Sequence, residues 1–335
     1  MARIFVAGCG WGTALAVLFD HYGHQTTLWS PFREEIDHIL RDGEHKKLLP
    51  GIPVPPTISL TDDLSPAPQA DLVVLAVPSF ALAETARKLA ALLRPGTPVV
   101  NAGKGLEPAT HERLSVVLQQ TLPQARVAVL SGPSHAEEVG RFVPTSVVCA
   151  ATDPAVAEEV QQTLSCRVFR IYVNDDVIGV ELGGALKNII ALAAGICDGM
   201  NAGDNTKAAL MTRGLAEIAR LGIRMGAREA TFAGLSGMGD LIVTCGSMHS
   251  RNRRAGILIG QGVSAEQAVQ HVGTVEGYHA VKAAYEVSQT LGVEMPITEQ
   301  CYAICYQGLS AQQGLQRLLA RPNRPERESA LWGNT

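Results

Sequence analysis

Apolar residues fall in short runs through the first half of the chain and in long helical periods through the second. Leu72–Val77 (LVVLAV) is apolar at every position and is closed by Pro78. That is the pattern of a strand buried on both faces of a parallel sheet. Arg3–Ala7, Gln25–Trp29, Pro98–Asn101, Arg126–Leu130, Thr145–Cys149 and Arg167–Ile171 read as further strands. Between them the spacing predicts helices over Thr13–His21, Phe80–Leu93, Glu112–Gln120 and Pro154–Leu164. The passage before Leu72 is less regular and holds the turn-rich LLPGIPVPP at Leu48–Pro56. Repeated β-α units predict a doubly wound α/β sheet over residues 1–175.

After Ile171 the alternation stops, so a boundary is expected near Asn174–Ile178, with an all-α domain over 176–320. Helices are expected at Val177–Asp198, Thr206–Arg224, Ala280–Gln289, Ile297–Gln307 and Ala311–Leu319. The Pro- and charge-rich tail, 321–335, is expected to fray. On Thr206–Arg224, the residues Arg213, Glu217, Arg220 and Arg224 share a face and read as a solvated or interface stripe.

Val177–Asp198 is apolar almost all the way round, the mark of a helix at the centre of a large core. It nevertheless carries Glu181 and Lys187, roughly 240° apart around the helix. Neither neutralises the other, so Lys187 needs a partner from elsewhere in the chain. A lysine in such a setting suits proton transfer, because desolvation moves its titration towards the working range.

Gly8-Cys9-Gly10-Trp11-Gly12 lies between a strand and a helix, the context in which a Rossmann-type dinucleotide fingerprint is credible. The glycines admit a pyrophosphate to the helix N-terminus. The second strand ends in Trp29-Ser30-Pro31-Phe32-Arg33, with no acid before Glu34. Arg33 can hold the 2′-phosphate of NADP(H) or simply face solvent, and the cofactor reading, NADP(H) or NAD(H), leans to NADP(H). Lys104, between Gly103 and Gly105, follows a strand and can serve a substrate or cofactor phosphate, or be a solvated loop lysine. Ser131-Gly132-Pro133-Ser134-His135-Ala136 also follows a strand, with Ser134 expected as a helix cap. In the second half, Gly234–Gly246 places Asp240 after a glycine-rich turn and Thr244 four residues on. Ser250, Arg251 and Asn252 open a helix and together suit a phosphate clamp. Glu276 enters the next helix.

Composition narrows the class. Among 335 residues, 46% are apolar and 18% charged, enough for two cores and against long disordered tracts. A net charge of −4 argues against general nucleic-acid binding. Seven cysteines without a CxxC pair predict neither a disulfide framework nor a zinc site, and fit a reducing cytosol. No metal site is expected from the scattered histidines. The glycines after the first strand argue against a signal peptide, and Glu181 and Lys187 against a membrane span. A homodimer stays open.

Several long motifs resemble the bacterial NAD(P)-dependent glycerol-3-phosphate dehydrogenases. They are WGTALA (Trp11–Ala16), LPG (Leu49–Gly51), KGLE (Lys104–Glu107), LSGPSHAEE (Leu130–Glu138) and GVELGGALKNIIALAAGICDG (Gly179–Gly199). GDN, TRGLAEIARLG, GDLIVTC, HSRNRRAG, VEG and MPIT follow in the family's order, so the likeness covers about Ile4 to Leu319. The resemblance implies reversible reduction of dihydroxyacetone phosphate to sn-glycerol 3-phosphate for phospholipid synthesis. It implies Lys187 as the acid/base residue, with Lys104, Gly132, Ser134, Lys187, Asp240, Ser250, Arg251 and Asn252 around the substrate. Asn188 and Thr244 stand where relatives place supporting polar contacts. Gly8, Gly10, Trp11, Arg33, Lys104, Ala136, Arg251 and Glu276 would meet the cofactor. The glycine turn departs from the family's usual GxGxWG by being one residue shorter, and Phe32 stands where the family often has arginine. A related β-hydroxyacid dehydrogenase and a catalytically idle dinucleotide sensor are the alternatives; the Ser250–Asn252 clamp weighs against the first.

Overall fold

The computed structural model describes residues 1–323, 325 and 326. It divides into two compact units, Met1–Glu107 with Glu112–Val177, and Pro108–His111 with the chain from Ile178.

Ten strands belong to the first unit: β1 (Arg3–Ala7), β2 (Gln25–Trp29), β3 (Glu44–His45), β4 (Leu49–Pro53), β5 (Ser59–Thr61), β6 (Leu72–Leu75), β7 (Pro98–Asn101), β8 (Arg126–Ser131), β9 (Thr145–Ala151) and β10 (Phe169–Asn174). Eight form one sheet in the order β10-β9-β8-β7-β6-β1-β2-β5, while β3 and β4 pair separately. Helices α1 (Trp11–His21), α2 (Arg33–Asp42), α3 (Ser79–Ala90), α4 (Leu114–Thr121), α5 (Ala136–Val139) and α6 (Pro154–Leu164) connect them. Alternate residues of one strand feed opposite faces. Ile4 and Val6 pack with Leu15 and Leu18 of α1, whereas Phe5 and Ala7 pack with Leu82 and Leu89 of α3. A sheet covered on both sides leaves no polar alternation to read, which is why its central strands are continuous apolar runs.

The chain starts at β1, proceeds outward to β2 and then returns to β6 on β1's other side. The crevice at the carboxyl ends of β1 and β6 is therefore the switch point where such sheets take ligands. All neighbours in the large sheet are parallel except β8 and β9, which run antiparallel. The passage that looked irregular contains α2 and three short strands.

The second unit is helical among its described residues: α7 (Val177–Gly199), α8 (Asp204–Arg224), α9 (Glu229–Phe232), α10 (Asp240–Gly246), α11 (Arg251–Gly260), α12 (Ala265–Val272), α13 (Glu276–Leu291), α14 (Pro296–Tyr306) and α15 (Ala311–Leu319). Helix α7 is long and apolar enough to cross a membrane, and nearly all of it is buried inside the protein. Its glycines explain how it packs. Gly195 and Gly199 of α7 meet the backbone of α11, and Gly256 and Gly260 of α11 meet the backbone of α7. A Cβ at Gly195 would overlap the Arg253 carbonyl, and one at Gly256 would overlap the Leu192 carbonyl. The two helices thus touch main chain to main chain, an approach that small residues four apart permit.

One expectation for α8 is corrected. Glu217 is not part of a solvated stripe but is buried, at 2% exposure. Its carboxyl accepts the Ile297 N–H at 2.6 Å, and the N–H and hydroxyl of Thr298 at 3.2 and 3.3 Å. It thereby supplies partners for the donors at the start of α14, which a helix cannot satisfy internally. Burial pushes this carboxyl up to about 7, against the pull of those donors. Beyond α15, Arg321 pairs with Glu294 at 3.4 Å and the Glu326 carbonyl accepts from Arg213 at 3.3 Å. The rest of the tail expected to fray, Arg324 and residues 327–335, lies outside the described residues.

Candidate active site

In the second unit the site is built on α7 and the segment that follows α9. A π-helical turn, Leu235–Gly239, stands where the sequence suggested a plain glycine-rich turn, and it runs directly into α10. Such a turn is common at functional sites. It carries Asp240 to the head of α10 and Thr244 one helical turn later. Lys187 is buried at 5% exposure. Its Nζ donates to Asp240 Oδ1 and to Thr244 Oγ1, the latter at 2.7 Å. The Thr244 hydroxyl in turn donates to the Asp240 carbonyl at 2.6 Å. The lysine inferred to need a distant partner thus has two, 53 and 57 positions away.

Ser250 caps α11, its hydroxyl accepting the Arg253 N–H at 3.2 Å. Arg251 is exposed on the first turn. Asn252 is buried and its amide is used twice. Nδ2 donates to Asn188 Oδ1 at 2.9 Å, and Oδ1 accepts the Gly277 N–H at 2.8 Å. This chain of bonds ties α11 to the residue after Lys187 and to the start of α13, whose first residue is Glu276. Arg253 points elsewhere. Its Nε donates to Asp198 at 2.7 Å, and Lys207 reaches the same carboxylate at 2.8 Å. Burial pushes Asp198 up, but the two cations outweigh it and hold it below the usual carboxylate range. The first four residues of the SRNRR run, Ser250–Arg253, therefore divide between a cap, an exposed cation, a positioning amide and a structural ion pair.

In the first unit the shortened glycine turn keeps three separable roles. Gly8, at φ 106°, runs so close to the Ala76 carbonyl that a Cβ would lie 2.8 Å from it. Gly10, at φ 77°, precedes α1 and faces only Leu48 within 4 Å of where its Cβ would be. Gly12 packs on Val6 and Ala76. Tight turn, open approach and helix–strand contact are the requirements of a pyrophosphate turn, and the first N–H groups of α1 are available to an anion.

Lys104 donates to the Gly132 carbonyl at 2.9 Å and to Ser134 Oγ at 3.5 Å. Ser134 is not the expected helix cap. Its hydroxyl donates to the carbonyl two residues back, Gly132 O, at 2.9 Å, and His135 occupies the cap position of α5. Lys104, Gly132 and Ser134 consequently form one cluster, and Ala136 opens α5 behind it. Two residues went unassigned in the sequence reading. Among the described residues, Asn101 Nδ2 and Ser131 Oγ are buried without a hydrogen-bond partner. Both end strands, β7 and β8, at the carboxyl edge of the sheet. Their place at strand ends was the available signal, and unsatisfied polar atoms there fit a polar ligand.

Arg33 pairs with Asp37 at 2.9 Å and Asp62 at 3.3 Å. Beside it, donor atoms of Cys9, Glu35 and His45 lie within 4.8 Å of one another. The imidazole determines how they are used. His45 Nδ1 accepts the Leu48 N–H at 3.2 Å, so Nε2 carries the ring hydrogen and donates it to Glu35 Oε1 at 2.9 Å. A metal ion would need that nitrogen bare, so the group is a hydrogen-bond network.

Residues 3–157 match the family described as NAD-dependent glycerol-3-phosphate dehydrogenase N-terminus, and residues 176–316 match the corresponding C-terminus. Glycerol-3-phosphate dehydrogenase (NAD(P)+) of Moorella thermoacetica is 55% identical over 333 residues, covering 98% of this chain and 99% of that protein. The enzyme of the same name from Desulfitobacterium hafniense is 51% identical over 330 residues, covering 98% and 94%. The crystal structure of glycerol-3-phosphate dehydrogenase from Coxiella burnetii superposes with a TM-score of 0.92 at 37% identity, covering 96% and 99%.

Proposed function

The chain belongs to the NAD-dependent glycerol-3-phosphate dehydrogenase family, and from that premise we propose how its own residues perform the reaction. The reaction is NAD(P)H-dependent reduction of dihydroxyacetone phosphate to sn-glycerol 3-phosphate. The reduced nicotinamide supplies a hydride to the ketone carbon when bound. Lys187 supplies the proton to the ketone oxygen. The observation that carries this assignment is a buried amine held by Asp240 and Thr244. Burial alone favours the neutral amine, and the adjacent carboxylate favours the charged one. Asp240 therefore keeps the donor loaded and aimed, while Thr244 fixes the direction of one N–H.

Ser250, Arg251 and Asn252 at the head of α11 hold the substrate phosphate, a place where helix N–H groups and a guanidinium favour an anion. Anchoring the non-reacting end holds the carbonyl near Lys187 and lowers the entropic cost of the step. In the first unit, Gly8, Gly10 and Trp11 hold the pyrophosphate. Lys104, Gly132 and Ser134 meet the substrate, with Lys104, Ala136, Arg251 and Glu276 also serving the cofactor. The product supplies glycerophospholipid synthesis in a reducing cytosol, a location supported by seven unpaired cysteines.

The test is to mix the protein with dihydroxyacetone phosphate and either NADH or NADPH, and follow loss of reduced-nicotinamide absorbance. Substrate-dependent oxidation is expected; none with either cofactor would overturn the reading.

A further inference from the structure

The end of β2 is where a doubly wound sheet tells NAD from NADP, through an acid at the ribose hydroxyls or a cation at the 2′-phosphate. In this chain the segments 30–37 and 61–63 meet there. Ser30 N–H donates to the Thr61 carbonyl at 3.1 Å, and Trp29 Nε1 donates to the Asp62 carbonyl at 3.0 Å. Together they carry Glu34, Glu35, Asp37, Asp62 and Asp63, against a single arginine, Arg33. That arginine already lies between two of these carboxylates, Asp37 and Asp62.

We propose that this chain selects NADH over NADPH, with Arg33 committed to Asp37 and Asp62 and the Glu35 carboxylate standing against a 2′-phosphate. The inference rests on the glycine turn being the dinucleotide site. Exposed ion pairs are individually weak, so Arg33 can let go of its partners. Doing so would leave two uncompensated carboxylates beside a phosphate monoester carrying roughly two negative charges. Glu35 has no comparable freedom. It accepts from His45 at 2.9 Å and from the Ser30 hydroxyl, and its side chain is only 21% exposed. Burial pushes its carboxyl up, but hydrogen bonds from His45, Ser30 and Cys9 outweigh that and hold it below the usual range. Its charge is therefore fixed between Cys9 of the glycine turn and Ser30 at the end of β2. An uncharged ribose hydroxyl is compatible with that position, and a dianion is repelled by it.

The test reads binding without turnover, by titrating the full chain with NADH and NADPH and following nicotinamide fluorescence. Wild type is expected to bind NADH about tenfold tighter or more, equivalent to roughly 1.4 kcal/mol. The double variant Asp37→Asn, Asp62→Asn releases Arg33 and should tighten NADPH about tenfold while moving NADH by about twofold or less. Arg33→Ala should leave NADPH affinity within about twofold. Equal or tighter NADPH binding by wild type overturns the proposal, as does a selective loss of NADPH affinity in Arg33→Ala. Binding of neither cofactor would overturn it together with the dinucleotide reading of the glycine turn, whereas tight but unselective binding of both overturns the preference alone.

Discussion

Lys187 and Thr244 lie 2.7 Å apart, and the threonine hydroxyl passes its own hydrogen to the Asp240 carbonyl at 2.6 Å. With that hydrogen engaged, the hydroxyl oxygen can only accept from the ammonium, so the amine is oriented by geometry as well as by charge. The catalytic assignment therefore divides into a donor, an aligner and a counter-charge, and each can be removed separately.

Removing the donor should be decisive for chemistry and mild for cofactor binding. Lys187→Ala is expected to lower turnover by roughly 10²–10⁴, the range for a lost general acid. Nicotinamide fluorescence should show NADH still bound. Near-normal turnover in this variant would sink the assignment.

Removing the counter-charge should move a pH profile. In Asp240→Asn the amine loses its neighbouring carboxylate, so its neutral form gains and its titration moves down. Ketone reduction needs the protonated amine, and the high-pH limb of turnover should shift down by about one pH unit or more. A limb that stays in place, with only its height reduced, would mean that Asp240 does not set the charge on Lys187.

The clamp is tested through the Michaelis constant. Arg251→Ala removes a charge-assisted contact worth roughly 1.5–3 kcal/mol, or about 10- to 150-fold in affinity for the phosphorylated substrate. An unchanged Michaelis constant for dihydroxyacetone phosphate would count against the head of α11 as the phosphate site.

Glu217 predicts a pH dependence of stability unrelated to catalysis. Its carboxyl titrates near 7 in the folded protein and near about 4.3 in an unfolded chain. Between those values the folded state binds more protons, so its contribution is fully present below about 4.3 and is lost as pH rises through about 7. The full span is roughly 4 kcal/mol. Denaturant unfolding between pH 5 and 8 should show wild-type stability falling relative to Glu217→Gln; parallel profiles would refute it.

Much of this could be read from sequence because it depends on local pattern. Continuous apolar runs gave the central strands, and Ser250 before an apolar helix gave a cap. A lysine in an apolar helix demanded a distant acid. Most of what escaped depends on contacts between residues far apart. Glu217 shares helical spacing with three arginines, yet its partners lie 80 and 81 positions on. Ser134 has the residue type of a cap, but a nearby carbonyl competes for its hydroxyl. The direction of β9 leaves no mark in an apolar run, because a strand buried on both faces reads alike either way. Arg253 and Arg251 are two residues apart in one basic run, and the positions of Asp198 and the Gly246 carbonyl set Arg253 apart.

The glycines that let α7 and α11 touch have a bearing on Lys187 and the Ser250–Asn252 segment, which ride on those two helices. Two rods in backbone contact cannot come closer, and nothing between them can be trimmed to shift their separation. Main chain therefore sets the spacing of the two helices that carry the proposed proton donor and the proposed phosphate site. A Cβ added at Gly195 or Gly256 would force the two helices apart, and with them the groups proposed to meet the two ends of one substrate.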